Sequence, residues 1–199
     1  MPAFERLGHD LARLDAAPEL VERSRRAARD EVRHARQCAD LAAGYRGVVA
    51  TPLALPCPTG PAAGWAEVVS DSWRDGCLGE GAAARRAERA RAGARDELVR
   101  AVQGAIAVDE ANHAELAWSV MAEGLRRGGS AVRDGLAAEL DRAAAPPAGM
   151  HAIDDEAARA HGRLSPRDAE LAWIETHERG LPRARALLDA ASAAAGRRS

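Results

Sequence analysis

The sequence predicts an all-α protein, an antiparallel bundle of two helical hairpins with further helices at its C-terminal end. Three observations carry that prediction: apolar residues recur every three to four positions, no stretch alternates with the period of a strand, and one short helical motif occurs twice. Periodicity says helix; the repeat says two similar hairpins.

The elements follow in chain order. Phe4, Leu7, Leu11 and Leu14 recur at helical spacing, so residues 2 to 15 form a short first helix ending near Ala17-Pro18. A second helix runs from Pro18 through Gly44, with Leu20, Ala27, Glu31, His34, Cys38 and Leu41 along one stripe and Gly44 and Gly47 as stops. Residues 45 to 62 are rich in proline, which lacks the amide proton a helix needs, so they read as an extended crossover. A third helix from about Ala63 to Ala92 carries Trp73, Cys77, Glu80, Ala84 and Ala87 on one face, and a fourth runs from about Arg95 to Arg127. Gly76, Gly79 and Gly81 surround Glu80. Each costs an exposed helix about 1 kcal/mol against Ala, so their clustering points to a backbone or ligand in close approach.

After Gly128-Gly129, Ser130 can cap a helix to about Ala145, Pro146-Pro147 breaks it, and Ser165-Pro166 starts another that Gly180 ends before Pro182 opens a last one. Residues 1–128 are expected to form the bundle, and residues 129–199 a helical extension packed on it within the same domain.

Composition narrows the function. Lys and Arg number 28 against 30 Asp and Glu, and the net charge of −2 supplies no basic field for nucleic acid. All the basic residues are arginine. Three cysteines without a CxxC pair fit a reducing compartment, and no run of 18 apolar residues marks a membrane span, so a cytoplasmic protein away from membranes is expected.

The repeated motif carries the chemistry. Asp30-Glu31-Val32-Arg33-His34 and Asp109-Glu110-Ala111-Asn112-His113 lie 79 positions apart, and aligning Ala27–Ala35 with Ile106–Ala114 gives five identities in nine positions. A carboxylate and an imidazole three residues apart stack on one helical face and offer an oxygen and a nitrogen ligand to one point. Each hairpin should also supply one carboxylate from its first helix, and Glu80, 30 residues before Glu110, fills that role in the second. The equivalent place in the first hairpin is Met1; Glu5, one turn on, is the candidate substitute, unless the natural chain starts further upstream.

With these motifs the chain resembles the ferritin-like di-iron carboxylate superfamily, whose pattern is Glu, Glu-x-x-His, Glu, Glu-x-x-His on four antiparallel helices. The segments Asp-Glu-Val-Arg-His-Ala, Gly-Cys-Leu-Gly-Glu and Asp-Glu-Ala-Asn-His-Ala-Glu-Leu-Ala-Trp are similar to ferritin-like proteins encoded in myxobacterial genomes. The resemblance covers roughly residues 1 to 127. It implies a ferritin-like four-helix bundle holding two metal ions on Glu31, His34, Glu80, Glu110 and His113, with Glu5 as a sixth candidate. Asp30 and Asp109 resemble the family's aspartates that hydrogen-bond to the opposite histidine, with Arg33 joining that network. Cys38, Trp73, Cys77 and Trp118 are candidates for the wall of a pocket or for core, and small buried thiols packing the core are the expectation for the two cysteines.

Carboxylate oxygens with one imidazole per ion suit iron, or manganese, or a mixed Mn/Fe pair, and disfavour zinc, which prefers cysteine-rich sets. The function expected is an O₂-dependent di-iron oxidase or oxygenase acting on a small organic molecule, an enzyme with O₂, that molecule and an electron donor as partners and a homodimer as one form. Iron handling or peroxide detoxification of a rubrerythrin-like kind, and a non-catalytic metal-stabilised bundle, stay open as alternatives. A second polar group, His151, Asp154, Asp155 and His161, is expected to be a solvated loop.

Overall fold

The computed structural model describes residues 2–47, 60–62, 64–142 and 155–197. Every regular element among them is helical, as the periodicity predicts. No helix there is long and apolar enough to cross a membrane. The chain divides into two compact units, Met1–Pro61 and Ala62–Ser199.

The first unit is a helical hairpin of α1 (Pro2–Arg13) and α2 (Pro18–Arg46). Its turn is tight. Asp15 takes a left-handed φ of 52°, which the short polar Asp tolerates better than most residues, and the Ala16 amide donates to the Leu11 carbonyl at 2.9 Å. Pro18 then opens α2 at a position whose amide would have no helical partner anyway. Phe4, Leu11, Leu20, Val21, Ala27 and Ala28 are buried. Gly8 faces Ser24 of α2 across the hairpin, where a Cβ would make ordinary contact at 3.5 Å from Ser24 Cβ. The stop is Gly47, with φ 66° and its amide on the Ala43 carbonyl at 2.8 Å. Gly44, expected to share that role, stays helical on the exposed side, because a glycine weakens a helix without ending it unless the left-handed turn is used. Of the predicted crossover, residues 48–59 lie outside the described residues.

In the second unit the predicted third helix is one continuous rod of mixed pitch. It comprises α3 (Trp65–Asp71), a π-helical stretch (Ser72–Glu80) and α4 (Gly81–Gly93). A search for a 3.6-residue period cannot register the wider turn, and π turns concentrate where function demands them. After three residues α5 (Glu97–Arg127) returns, capped by the Asp96 carboxylate, which accepts from the Leu98 and Val99 amides at 2.8 and 3.2 Å. Close approaches pair Gly76 with Ala117 and Gly104 with the Arg91 side chain, so the two rods run antiparallel in a fixed register.

The C-terminal helices differ from expectation in three respects. Helix α6 (Gly129–Leu140) starts from Gly128 instead of a Ser130 cap and stops before Ala145. A short α7 (Glu156–Ala160), which the sequence reading missed, is capped by Asp155, one of the expected loop residues; His161 follows it, and His151 and Asp154 lie outside the described residues. Helix α8 (Pro166–Gly196) begins at the Ser165-Pro166 signal but passes straight through Gly180 and Pro182. Packing overrides the breakers: Gly180 sits against the Trp73 ring, where a Cβ would be 3.6 Å away, and beyond the proline Ala184, Leu187 and Leu188 join the core. Burying those side chains offsets the one hydrogen bond and the local clash that an interior proline costs, about 3 kcal/mol.

Two of the three glycines around Glu80 have the packing role inferred from their clustering. Gly76 faces Ala117 of α5, and a Cβ at Gly81 would stand 2.8 Å from Thr176 Cγ2 of α8. Gly76→Ala is expected to destabilise the fold by about 1–3 kcal/mol in urea unfolding despite alanine's higher helix propensity, because the added methyl collides with Ala117. An unchanged or raised midpoint would show that the rods can separate without cost.

Candidate metal centre

In the second unit the register does the assembling. Reading from the Gly76–Ala117 and Gly104–Arg91 approaches, Glu80 at the end of the π stretch falls level with His113 and Ala114 on α5. One oxygen each of Glu80 and Glu110 and one ring nitrogen of His113 lie within 4.8 Å of one another. Glu110 and His113 are buried at 7% and 3% exposure, and His113 Nδ1 is 3.1 Å from Glu110 Oε2. Two ionised carboxylates at such a separation repel by about 3 kcal/mol at an effective dielectric of about 20. A cation between them removes that penalty and gains the imidazole as a further donor. The donor set therefore fits a hard or borderline divalent ion.

The first unit carries the other copy on α2. His34 is buried at 6% exposure, with Nδ1 3.5 Å from Glu31 Oε1, and the Glu31 side chain is about a quarter exposed. The same spacing has produced the same local geometry in both helices. Beside it Arg33 donates to Asp30 Oδ1 at 2.8 Å, so Asp30 and Arg33 do form a polar pair. Asp109 is partly buried on α5, one residue before Glu110.

Several expected residues are placed differently. Glu5 is exposed in the first turn of α1, because the buried face is set by Phe4, Gly8 and Leu11 and position 5 turns away from it. Met1 lies outside the described residues. Cys38 is exposed, not a buried core thiol: the stripe drifts around α2 in its last turns, where nothing in the first helix reaches it. Its thiol is still pushed up, by partial burial first and by the Glu31 carboxylate, with His34 opposing. Cys77 meets the expectation and is buried, its Sγ 3.3 Å from Met121 Sδ. Trp73 and Trp118 are buried core residues that meet edge to face, centroids 6.0 Å apart. The Arg183 guanidinium lies over Trp118 at 4.3 Å and is held by two bonds to Glu115, 2.6 and 2.8 Å long.

Two charged residues escaped the sequence reading. Asp10 is buried on α1 between Arg6 and Arg13, at 3.5 and 3.6 Å. The i±3 and i±4 arginines were its signal. Arg86, half-buried on α4, has its pKa lowered by burial, opposed by the nearby carboxylates of Glu110 and Glu80. Nothing in an arginine-rich helix distinguishes it by spacing alone.

No protein-family model, curated protein or solved structure matches the chain.

The buried thiol gives a pH dependence with a definite sign. Burial raises the Cys77 pKa above its ordinary value of 9.0, so the folded state keeps a proton that the unfolded state releases. That contribution is complete below about pH 9 and is lost as pH rises above it, at up to about 1.4 kcal/mol per pH unit. With no lysine in the chain, few other groups titrate there. Urea unfolding from pH 8 to 10.5 is expected to show this loss, and Cys77→Ala to remove most of the slope; equal slopes in both proteins would refute the buried neutral thiol.

Proposed function

We propose that the chain is a dinuclear metal-carboxylate protein of the ferritin-like kind, and that it works as an O₂-dependent oxidase or oxygenase on a small organic molecule. On this reading Glu80, Glu110 and His113 hold one ion and Glu31 and His34 hold the other, with iron favoured over manganese. The observation that carries it is the convergence of Glu80, Glu110 and His113 within 4.8 Å of one another, with Glu110 and His113 buried, because a cation there removes the repulsion between the two carboxylates and takes the imidazole as a further donor. The duplicated motif supports a second ion, since α2 carries the same carboxylate and imidazole pair. When bound, such ions supply one-electron redox chemistry toward O₂. The chain's own residues hold the ions and keep the centre apart from bulk water, while Asp30 and Arg33 brace the helical face that bears Glu31 and His34.

The resemblance to ferritin-like di-iron carboxylate proteins supports an enzyme more than a storage protein, since the long proline-rich segment and the C-terminal helices do not suggest a cage. Protein purified without a chelating tag is expected to contain about two iron or manganese ions per chain by elemental analysis. Glu110→Ala should lower this to about one or fewer, and full retention of two would contradict the ligand set. Oxygen uptake separates the activities. An oxidase consumes O₂ only with its organic substrate, an iron-handling protein consumes it with Fe(II) alone, and a structural metal site does neither while losing thermal stability on metal removal.

A further inference from the structure

Arg86 has no role in the ligand set, yet it stands beside it. The register that levels Glu80 with His113 puts Arg86 within one helical turn of the level of Glu110. Its side chain is half-buried and forms no ion pair or hydrogen bond with another described residue. Its neighbours on α4 are spent otherwise: Arg85 and Arg89 both reach Glu175, at 3.5 and 2.7 Å. A guanidinium keeps its charge under these conditions, and covering it without a partner is costly.

Electrostatics then changes sign with metal. Without an ion, the carboxylates of Glu80 and Glu110 attract Arg86 from beyond ion-pair distance. A divalent ion among Glu80, Glu110 and His113 cancels that attraction and leaves the guanidinium facing a cation. One divalent ion, the two carboxylates and the guanidinium together carry a surplus of about one positive charge. An anion between Arg86 and the ions relieves it, and the planar fork of an arginine is shaped for the paired oxygens of a carboxylate or phosphate.

We propose that Arg86 is the anchor for an anionic substrate: the small molecule handled at this centre bears a carboxylate or phosphate group, which Arg86 holds beside the ions on Glu80, Glu110 and His113. This rests on the metal reading above and names its substrate class. It assigns Arg86 a substrate contact and leaves metal retention to the other residues.

The test uses calorimetry on the full chain, its metal content measured first. Acetate, inorganic phosphate and neutral acetamide are the probes. Metal-loaded protein is expected to bind acetate or phosphate saturably and acetamide not at all, the two anions showing which oxyanion is preferred. Metal-free protein should bind the preferred anion at least about tenfold more weakly, because Glu80 and Glu110 then repel it. Arg86→Gln should lose about tenfold or more of the anion affinity with metal content unchanged. Arg89→Gln, which removes a charge from the same helix, should keep that affinity. Arg86→Lys, which keeps charge and fold without the fork, should fall between.

Wild-type affinity in Arg86→Gln, equal binding of acetamide, or no anion binding by fully loaded protein would each overturn the proposal while leaving the metal centre standing. Failure to load metal would instead overturn the reading beneath it, and this one with it.

Discussion

The second unit depends on a seam of small residues between the π-containing rod and α5. Gly76 lies on Ala117 and Ala82 and Ala84 are buried, so the two backbones approach closer than larger side chains would permit. A close seam has few alternative registers, because shifting it by one residue drives a Cβ into a neighbour. Register is what places Glu80 beside Glu110 and His113. The acidic and imidazole groups thus meet as a consequence of alanine and glycine packing, and the favourable packing must also offset the repulsion between the two carboxylates.

Core packing along the same seam supplies that stability, since Ala82 and Ala117 belong to one buried cluster with Trp73 and Cys77. Trp73, Cys77 and Leu78 point into a cluster with Trp118 and Met121, and α8 covers it with Trp173 and Ala184. Burying one such aromatic is worth several times the cost of a glycine in a helix. The π stretch sits where the two demands meet. Its wider turn resets the angular phase between Trp73 and Cys77 on the core side and Glu80 at its end, a rephasing that an unbroken α-helix does not provide. Arg183 closes the seam's outer edge by stacking on Trp118 and gripping Glu115, which ties α8 to α5.

What was legible in the sequence is what depends on local periodicity. Helical class, the Ser165 cap, the Gly47 stop and both Glu-x-x-His faces follow from rules that act within a turn or two. Glu80 was found because the repeat gave its distance from Glu110, and Gly76 and Gly81 because a cluster of costly residues needs a reason. What was not legible depends on neighbours distant in sequence. The π turn, the passage of α8 through Pro182 and the half-buried state of Arg86 are decided by the surface each residue meets. Cys38 shows the converse error, in which a residue assigned to a stripe turns out where that stripe no longer faces a partner, and Glu5, chosen for its distance from position 1, lies on the side of α1 away from Phe4 and Leu11.

Charge accounting explains why an arginine belongs near such a centre at all. A site built only from carboxylates and imidazoles responds to its ions and has little means of selecting what else enters. A fixed guanidinium adds selectivity that depends on occupancy: shielded by Glu80 and Glu110 when they are unneutralised, it becomes a strong anion site only once cations take up their charge. On the proposed reading, metal and substrate therefore bind with positive coupling, and the coupling must be reciprocal, the anion holding the metal more tightly as the metal holds the anion. Lysine would serve this poorly, since a buried ammonium can shed its proton and escape the cost, whereas the guanidinium cannot.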